Sequence, residues 1–219
     1  MTVMDKTLVT VVARTPESVA NHESRDTWRG GLPVLKGAVS SLRELAAEDA
    51  PDLLPLLSAP DVARFISPPP HSLEQFTWFI ETSRREREAG RYAGFALVPH
   101  GHDRAVGVVQ LRQTERGFVT AEWGFAMGSR WWGSGLFLDA SRLLIDFAFN
   151  TVGVHRLEAR AAAPNARCQA AMQKLGAVRE GLLRKSLTTA DGSRLDQVLW
   201  SLLDEDWRQI TAPSDVQVH

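Results

Sequence analysis

The sequence predicts an α/β (α+β) protein with a mixed, curved central sheet of about seven strands and helices on both faces. Three observations lead there. Strand-type segments follow one another without a helix between them near residues 92–99, 106–112 and 120–127, which implies antiparallel pairing. A strand, a helix and a further strand then occupy residues 120 to about 160, and strands joined by a crossover helix lie parallel. Helical segments both precede and follow the strand run, so each face of the sheet has a cover.

The elements follow in order. Residues 1–34 read as an N-terminal arm or extension: 7–13 are strand-like, 14–31 are polar, and Trp28 offers an anchor. Residues 35–210 form one domain and 211–219 a C-terminal tail. Alternation over residues 37–45 predicts the first strand of the domain. Leu53, Leu54, Leu56 and Leu57 have helical spacing, with Pro51 in a tolerated first-turn position and Pro55 keeping the helix short. Pro60 opens another short segment, and residues 68–70, all proline, force an extended break. Ser72 and Gln75 form a capping box that starts a longer helix, ended by Gly90. Residues 100–103 make the turn between two strands, and residues 120–127 form the next one. From Gly135 to about Asn150, Leu136, Ala140, Leu143, Leu144 and Phe147 recur at helical spacing.

Composition narrows the function. A formal net charge of −1 gives no electrostatic reason to expect nucleic acid or an anionic membrane as partner. No apolar run has the length of a membrane span and the N-terminus lacks a signal-peptide core, so a cytoplasmic protein is expected. A single cysteine excludes an internal disulfide and a cysteine-based zinc cluster, and six scattered histidines lack an i, i+4 pair, so no metal is expected.

Residues 129–136, Ser-Arg-Trp-Trp-Gly-Ser-Gly-Leu, join a strand to a helix and are the most informative stretch of the chain. A glycine-rich turn opening a helix leaves backbone N–H groups unpaired, and the helix dipole adds partial positive charge, which suits a phosphate or pyrophosphate. Neither lysine with serine or threonine follows the second glycine, as a Walker loop needs, nor does the spacing give G-x-G-x-x-G, because Leu138 stands three residues past Gly135. The plain alternative is a turn in which the glycines serve only geometry.

Arg130-x-x-Gly133-x-Gly135 resembles the acyl-CoA pyrophosphate loop of the GNAT N-acetyltransferases. Three further segments extend the resemblance in the family's order. Residues 154–160 resemble the next strand of that fold. Asn165-Ala166-Arg167-Cys168, with residues 174–181, resembles an Asn-led helix and its exit. Residues 196–202, followed by Asp206 and Trp207, resemble the closing strand. The set is similar to the RimJ/RimL branch, which acetylates protein N-termini and various small amines. The resemblance implies acetyl-CoA as co-substrate. It implies that Arg130, Trp132, Gly133, Ser134, Gly135 and Leu136 form the cofactor-binding loop, with Trp132 as the branch's usual Trp-Gly pair packing there, that the backbone of Phe125, Ala126 and Met127 holds the pantetheine arm and polarises the carbonyl, and that Asn165 contacts the thiol end.

Acetyl transfer to an amine needs a held cofactor, a deprotonated amine and a stabilised carbonyl oxygen. Glu122 is the leading base. By alternation it shares a strand face with Gly124 and Ala126, which leaves room for substrate, and similar GNAT proteins carry a proposed base on this strand. The plain alternative is a surface or salt-bridged carboxylate. Asn165 follows Pro164 and caps the next helix. Cys168 shares a helical face with Ala171, Met172 and Leu175, the pattern of a buried small hydrophobe. RimJ/RimL proteins usually carry serine at its place as a proposed donor to the departing thiolate, a role cysteine fills with a weaker hydrogen bond. Tyr92, the only tyrosine, lies on an early strand and is not expected to act as the acid. The acceptor is a primary amine, with a protein N-terminal α-amine favoured over a small molecule such as an antibiotic, polyamine or amino acid. A non-catalytic acyl-CoA-binding module is the third reading. Exposed tryptophans would suit a homodimer.

Overall fold

The computed structural model describes residues 27–65, 71–189 and 191–212. The strand expected over residues 7–13, the break at 68–70 and all but two residues of the tail lie outside them. Eight strands form one sheet in which β5 and β6 make the parallel pair and all other neighbours run antiparallel. In chain order these are β1 (Leu35–Lys36), β2 (Ser40–Glu44), β3 (Tyr92–Pro99), β4 (Gly107–Gln113), β5 (Thr120–Met127), β6 (Arg156–Ala162), β7 (Val178–Thr188) and β8 (Arg194–Leu203). Spatial order follows sequence order through β6, after which β8 precedes β7. The eighth strand is the two-residue β1, too short to show any alternation.

Among the described residues six helices cover the sheet: α1 (Ala50–Leu57), α2 (Pro60–Ala63), α3 (Leu73–Glu88), α4 (Leu136–Asp146), α5 (Ala166–Lys174) and α6 (Asp204–Thr211). Two apolar clusters mark its two faces. On one, Phe95, Val109, Leu111, Trp123 and Met127 pack with Leu136, Ala140 and Leu144 of α4. On the other, Ala96, Val98 and Val108 pack with Leu53 and Leu57 of α1 and Phe76 and Ile80 of α3. β3 is therefore buried along its whole length, as a strand covered on both sides must be. No helix among the described residues is long and apolar enough to cross a membrane.

Local chemistry explains the helix ends. The Gln75 N–H donates to Ser72 Oγ at 3.2 Å, while Gln75 Oε1 accepts from the His71 N–H at 3.0 Å, one residue earlier than a strict capping box. α3 stops at Gly90, whose φ of +69° is the left-handed value glycine tolerates. α4 continues as a π-helical turn over Phe147–Val152, closed by Gly153. The start of α4 is tied to the β1–β2 turn. Asp139 accepts N–H bonds from Ala38, Val39 and Ser40 at 2.9, 3.1 and 2.9 Å and a hydroxyl bond from Ser40 at 2.7 Å. Burial pushes this carboxyl up, but the Ser40 hydroxyl and the three N–H donors outweigh it and hold it below the usual range. Gly37 makes the approach feasible, since a Cβ there would collide with the Asp139 carboxylate.

Ahead of β1, Trp28 is 2% exposed and meets the rings of Phe118 and Phe147 edge-on. Trp28 thus anchors residues 27–29 to the core, as expected of it, although its polar neighbours carry no pattern of burial.

Candidate active site

The β5–β6 ladder is short. It pairs Thr120 with Arg156, Ala121 with Leu157 and Glu122 with Glu158, and there it ends. Beyond that rung β5 stays paired with β4 to Met127, while β6 stays paired with β8 to Ala162. The two strands therefore part toward their C-terminal ends, and a wedge opens between residues 123–127 and 159–162. The last rung sets two carboxylates side by side, which opposes further pairing. Arginines compensate: Arg112 meets Glu122 at 2.8 Å, and Arg156 meets Glu158 at 3.0 Å. The strand edge facing the wedge carries backbone donors and acceptors with no ladder partner there, and these must be satisfied by something else. Crevices at the C-terminal ends of parallel strands are where open α/β sheets bind ligands.

The glycine loop closes the end of β5 beside this wedge. Residues Ser129–Trp131 make one 3₁₀ turn, and α4 starts at Leu136. Gly133 and Gly135 have φ of +80° and +87°, and a Cβ on either would meet nothing within 4 Å. The glycines are therefore set by backbone conformation, and the space over them is open. Ser134 is exposed, and its hydroxyl donates to the Trp131 carbonyl at 2.6 Å. The Leu136 side chain is buried under α4, so its N–H, rather than its side chain, faces the turn. The Trp132 indole N–H donates to the Met127 carbonyl at 3.2 Å and so fixes the ring at the strand end. The Trp131 indole N–H is buried without a partner among the described residues. Open space over glycines and an N-terminal helix turn both fit a phosphate-bearing ligand.

On the far lip of the wedge, Asn165 caps α5, its side-chain oxygen accepting from the Cys168 N–H at 3.1 Å. Gln169 docks that helix by donating to the Ala162 carbonyl at 3.3 Å and accepting from the Trp200 indole at 3.1 Å. Cys168 packs against the main core, and burial pushes its thiol up to about 11. It therefore holds its proton at neutral pH, whether it only packs or also donates.

Glu122 is half-buried and held. Its Oε2 accepts from Arg112 at 2.8 Å and lies 3.9 Å from Arg160, while Oε1 has no partner among the described residues. The expected free space beside it is partly filled. Gln110 lies over Gly124, where a Cβ would come within 2.7 Å of its Nε2, so that glycine accommodates a neighbouring side chain. Gln110 in turn accepts from the Tyr92 hydroxyl at 2.5 Å. Burial pushes that hydroxyl well above its ordinary value, so it stays protonated and donates to Gln110.

Sequence reasoning missed Arg112, Arg160 and Gln110 as neighbours of Glu122, and, although it singled out Arg130, it missed the stacking of Arg130 and Arg167 on the loop tryptophans. Arg130 lies over the Trp131 ring at 5.2 Å and Arg167 over the Trp132 ring at 4.4 Å. Closing the β4–β5 hairpin around Gly117 puts Arg112 opposite Glu122, the one such pairing that spacing alone makes readable. Among the described residues no group of three or more His, Cys, Asp or Glu is arranged to hold a metal ion.

Residues 41–178 match the family model of an acetyltransferase (GNAT) domain, and this chain belongs to that family and is an acetyltransferase. Its relatives include N-acetyltransferase p20 of Bacillus licheniformis, whose own role is uncharacterised, 26% identical over 168 residues, which are 76% of this chain and 94% of that one. It is also similar to the [ribosomal protein uS5]-alanine N-acetyltransferase of Escherichia coli strain K12. That identity is 30% over 114 residues, 52% of this chain and 58% of the relative. In fold it resembles Mycobacterium smegmatis RimJ, solved in complex with CoA-disulfide, with TM-score 0.71 and 23% identity over 80% of this chain and 87% of that one.

Proposed function

We propose that this protein moves an acetyl group from acetyl-CoA to a primary amine, with a protein N-terminal α-amine as acceptor, in a cytoplasmic setting. One observation carries the reading: the ladder that ends at Glu122 and Glu158, opening a wedge of unpaired backbone that leads straight to the glycine loop. The uS5-alanine N-acetyltransferase relative supports the acceptor class.

Acetyl-CoA supplies an activated thioester carbonyl. The N–H groups of Gly133 to Leu136, with Arg130, hold its pyrophosphate at the dipole-positive end of α4. The N–H groups of Phe125 to Met127 that face the wedge hold the pantetheine arm, polarise the carbonyl and stabilise the charge that develops on its oxygen, while the Met127 carbonyl is taken by the Trp132 indole. Trp132 and Asn165 line the two lips of the wedge. The amine attacks directly while both substrates are bound: its nitrogen forms the new bond to the carbonyl carbon, and the carbon–sulfur bond breaks. Glu122 takes the amine proton at Oε1 through a water, its other oxygen anchored by Arg112. Cys168 stands on the α5 lip and keeps its proton there; because burial raises its thiol it is at most a weak donor, and the CoA thiolate leaves with little assistance. An α-amine has a pKa of about 8 against about 10.4 for lysine, so a modest base suffices and the α-amine is the easier acceptor.

Release of free thiol from acetyl-CoA tests the reading with a panel of peptides with free N-termini, an N-blocked lysine peptide, a polyamine, an aminoglycoside and free amino acids. Turnover of the free N-terminal peptides above all others is expected, with the product acetylated at the α-nitrogen. Faster turnover of a small amine would replace the acceptor class. CoA binding without turnover on any amine would leave a binding module.

A further inference from the structure

Arg167 sits where helix physics does not want it. It occupies the first turn of α5, where the unpaired N–H groups already concentrate positive charge and a cation opposes the helix dipole. It is exposed, and no carboxylate pairs with it among the described residues. Its contact is instead the face of Trp132, at 4.4 Å. Stacking on an indole orients a guanidinium without neutralising it, and leaves the donors around its edge free. The platform is itself fixed, since the Trp132 N–H is bound to the Met127 carbonyl at 3.2 Å. The stacking leaves its charge without an anion, and breaks of a local rule are expected at functional sites.

The position supplies the ligand. β5 leads into the glycine loop and β6 leads into α5, so the Arg167–Trp132 contact joins the two lips of the wedge at its mouth. This inference rests on acetyl-CoA lying in that wedge. CoA carries two separate anionic groups, the pyrophosphate and a 3′-phosphomonoester on the ribose. The helix N-terminus and Arg130 serve the first, which leaves a prepared cation on the opposite lip with no assigned anion. We propose that Arg167, held on Trp132, binds the 3′-phosphate of CoA, and that it makes this chain discriminate CoA from 3′-dephospho-CoA. A phosphomonoester presents nearly two negative charges and three acceptor oxygens at neutral pH, the chemistry an unpaired guanidinium recognises best.

Calorimetric titration of the full chain with CoA and with 3′-dephospho-CoA tests this, on wild type, Arg167→Gln and Arg167→Lys. Wild type should prefer CoA by about tenfold or more, as expected for a charge-assisted contact, and the preference should narrow with added salt. Arg167→Gln should lose affinity for CoA, keep its affinity for 3′-dephospho-CoA and bring the two within about twofold, with Arg167→Lys between. Circular dichroism should show the variants folded, because the side chain is exposed. No discrimination by wild type would overturn the proposal even if a variant misfolds, and so would an equal loss for both ligands in Arg167→Gln. Binding of neither ligand to wild type would overturn the cofactor assignment with it, whereas equal binding of both would leave that assignment standing.

Discussion

Ser134→Asp is expected to weaken CoA binding about a hundredfold while the protein stays as stable as wild type. The side chain is exposed and lies two residues before α4, where a carboxylate accepts from the N-terminal N–H groups and gains about 0.3–1 kcal/mol from the helix dipole. That gain offsets the lost hydroxyl bond to the Trp131 carbonyl. The same charge sits where the pyrophosphate belongs. Two unit charges about 4 Å apart repel by about 4 kcal/mol at an effective dielectric of about 20, and solvent screening leaves roughly 2–3 kcal/mol at an open site. That corresponds to roughly a hundredfold in affinity. Ser134→Ala is the control and should bind CoA within a few-fold of wild type. The glycines are poorer probes, because Gly133 and Gly135 both have positive φ and any side chain there strains the turn itself. Calorimetry and thermal melts of the two serine variants check the expectation, and unimpaired CoA binding by a folded Ser134→Asp protein would move the phosphate site elsewhere.

Glu122→Gln should lower turnover about a hundredfold at pH 7 and leave CoA affinity unchanged. A general base contributes roughly 10²–10⁴-fold, and the lower end applies because about a tenth of an α-amine of pKa about 8 is already neutral at pH 7. The sign with pH follows. Free amine becomes abundant as pH rises through the pKa of the acceptor, so the variant should recover toward wild type on the alkaline side and fall away on the acid side. Glutamine keeps the shape but loses the ion pair to Arg112, a half-exposed pair whose loss costs little stability. A pH–rate profile of wild type and variant with one N-terminal peptide makes the comparison. An equal deficit at every pH would mean that the Arg112–Glu122–Arg160 cluster positions substrate and moves no proton.

The parts of the site that were readable from sequence are local. Gly133 and Gly135 declare a turn, Leu136, Ala140 and Leu144 declare the helix that follows, and Asn165 after Pro164 declares a cap. Each rests on chemistry within a few residues. What the sequence concealed depends on register and long-range approach. Nothing near Glu122 announces that its ladder to β6 stops at that residue, because the halt is set by two strands separated by a helix. The stacking of Arg167 on Trp132 joins residues on opposite sides of the wedge. Trp28 was readable as an anchor only because it is one large apolar residue in a polar stretch; without periodicity around it, its partners Phe118 and Phe147 were not. Glu122 shows both limits at once. Alternation assigned its face and hairpin spacing made Arg112 readable opposite it, but neither Arg160 on β6 nor Gln110 over Gly124 could be seen without the pairing across the sheet.

The proposed place of acetyl-CoA runs along the edge of β5 that faces the wedge and ends on the loop before α4. Amide hydrogen exchange of the full chain, with and without CoA, tests it most directly, since the ligand is held largely by backbone N–H groups whose exchange it must slow. Protection should appear at residues 125–127 and 133–136, with a smaller effect at the first turn of α5, while α3 and the β1–β2 hairpin stay unchanged. Bound CoA that protects some other region, and leaves residues 125–136 exchanging as in the free protein, would contradict the account.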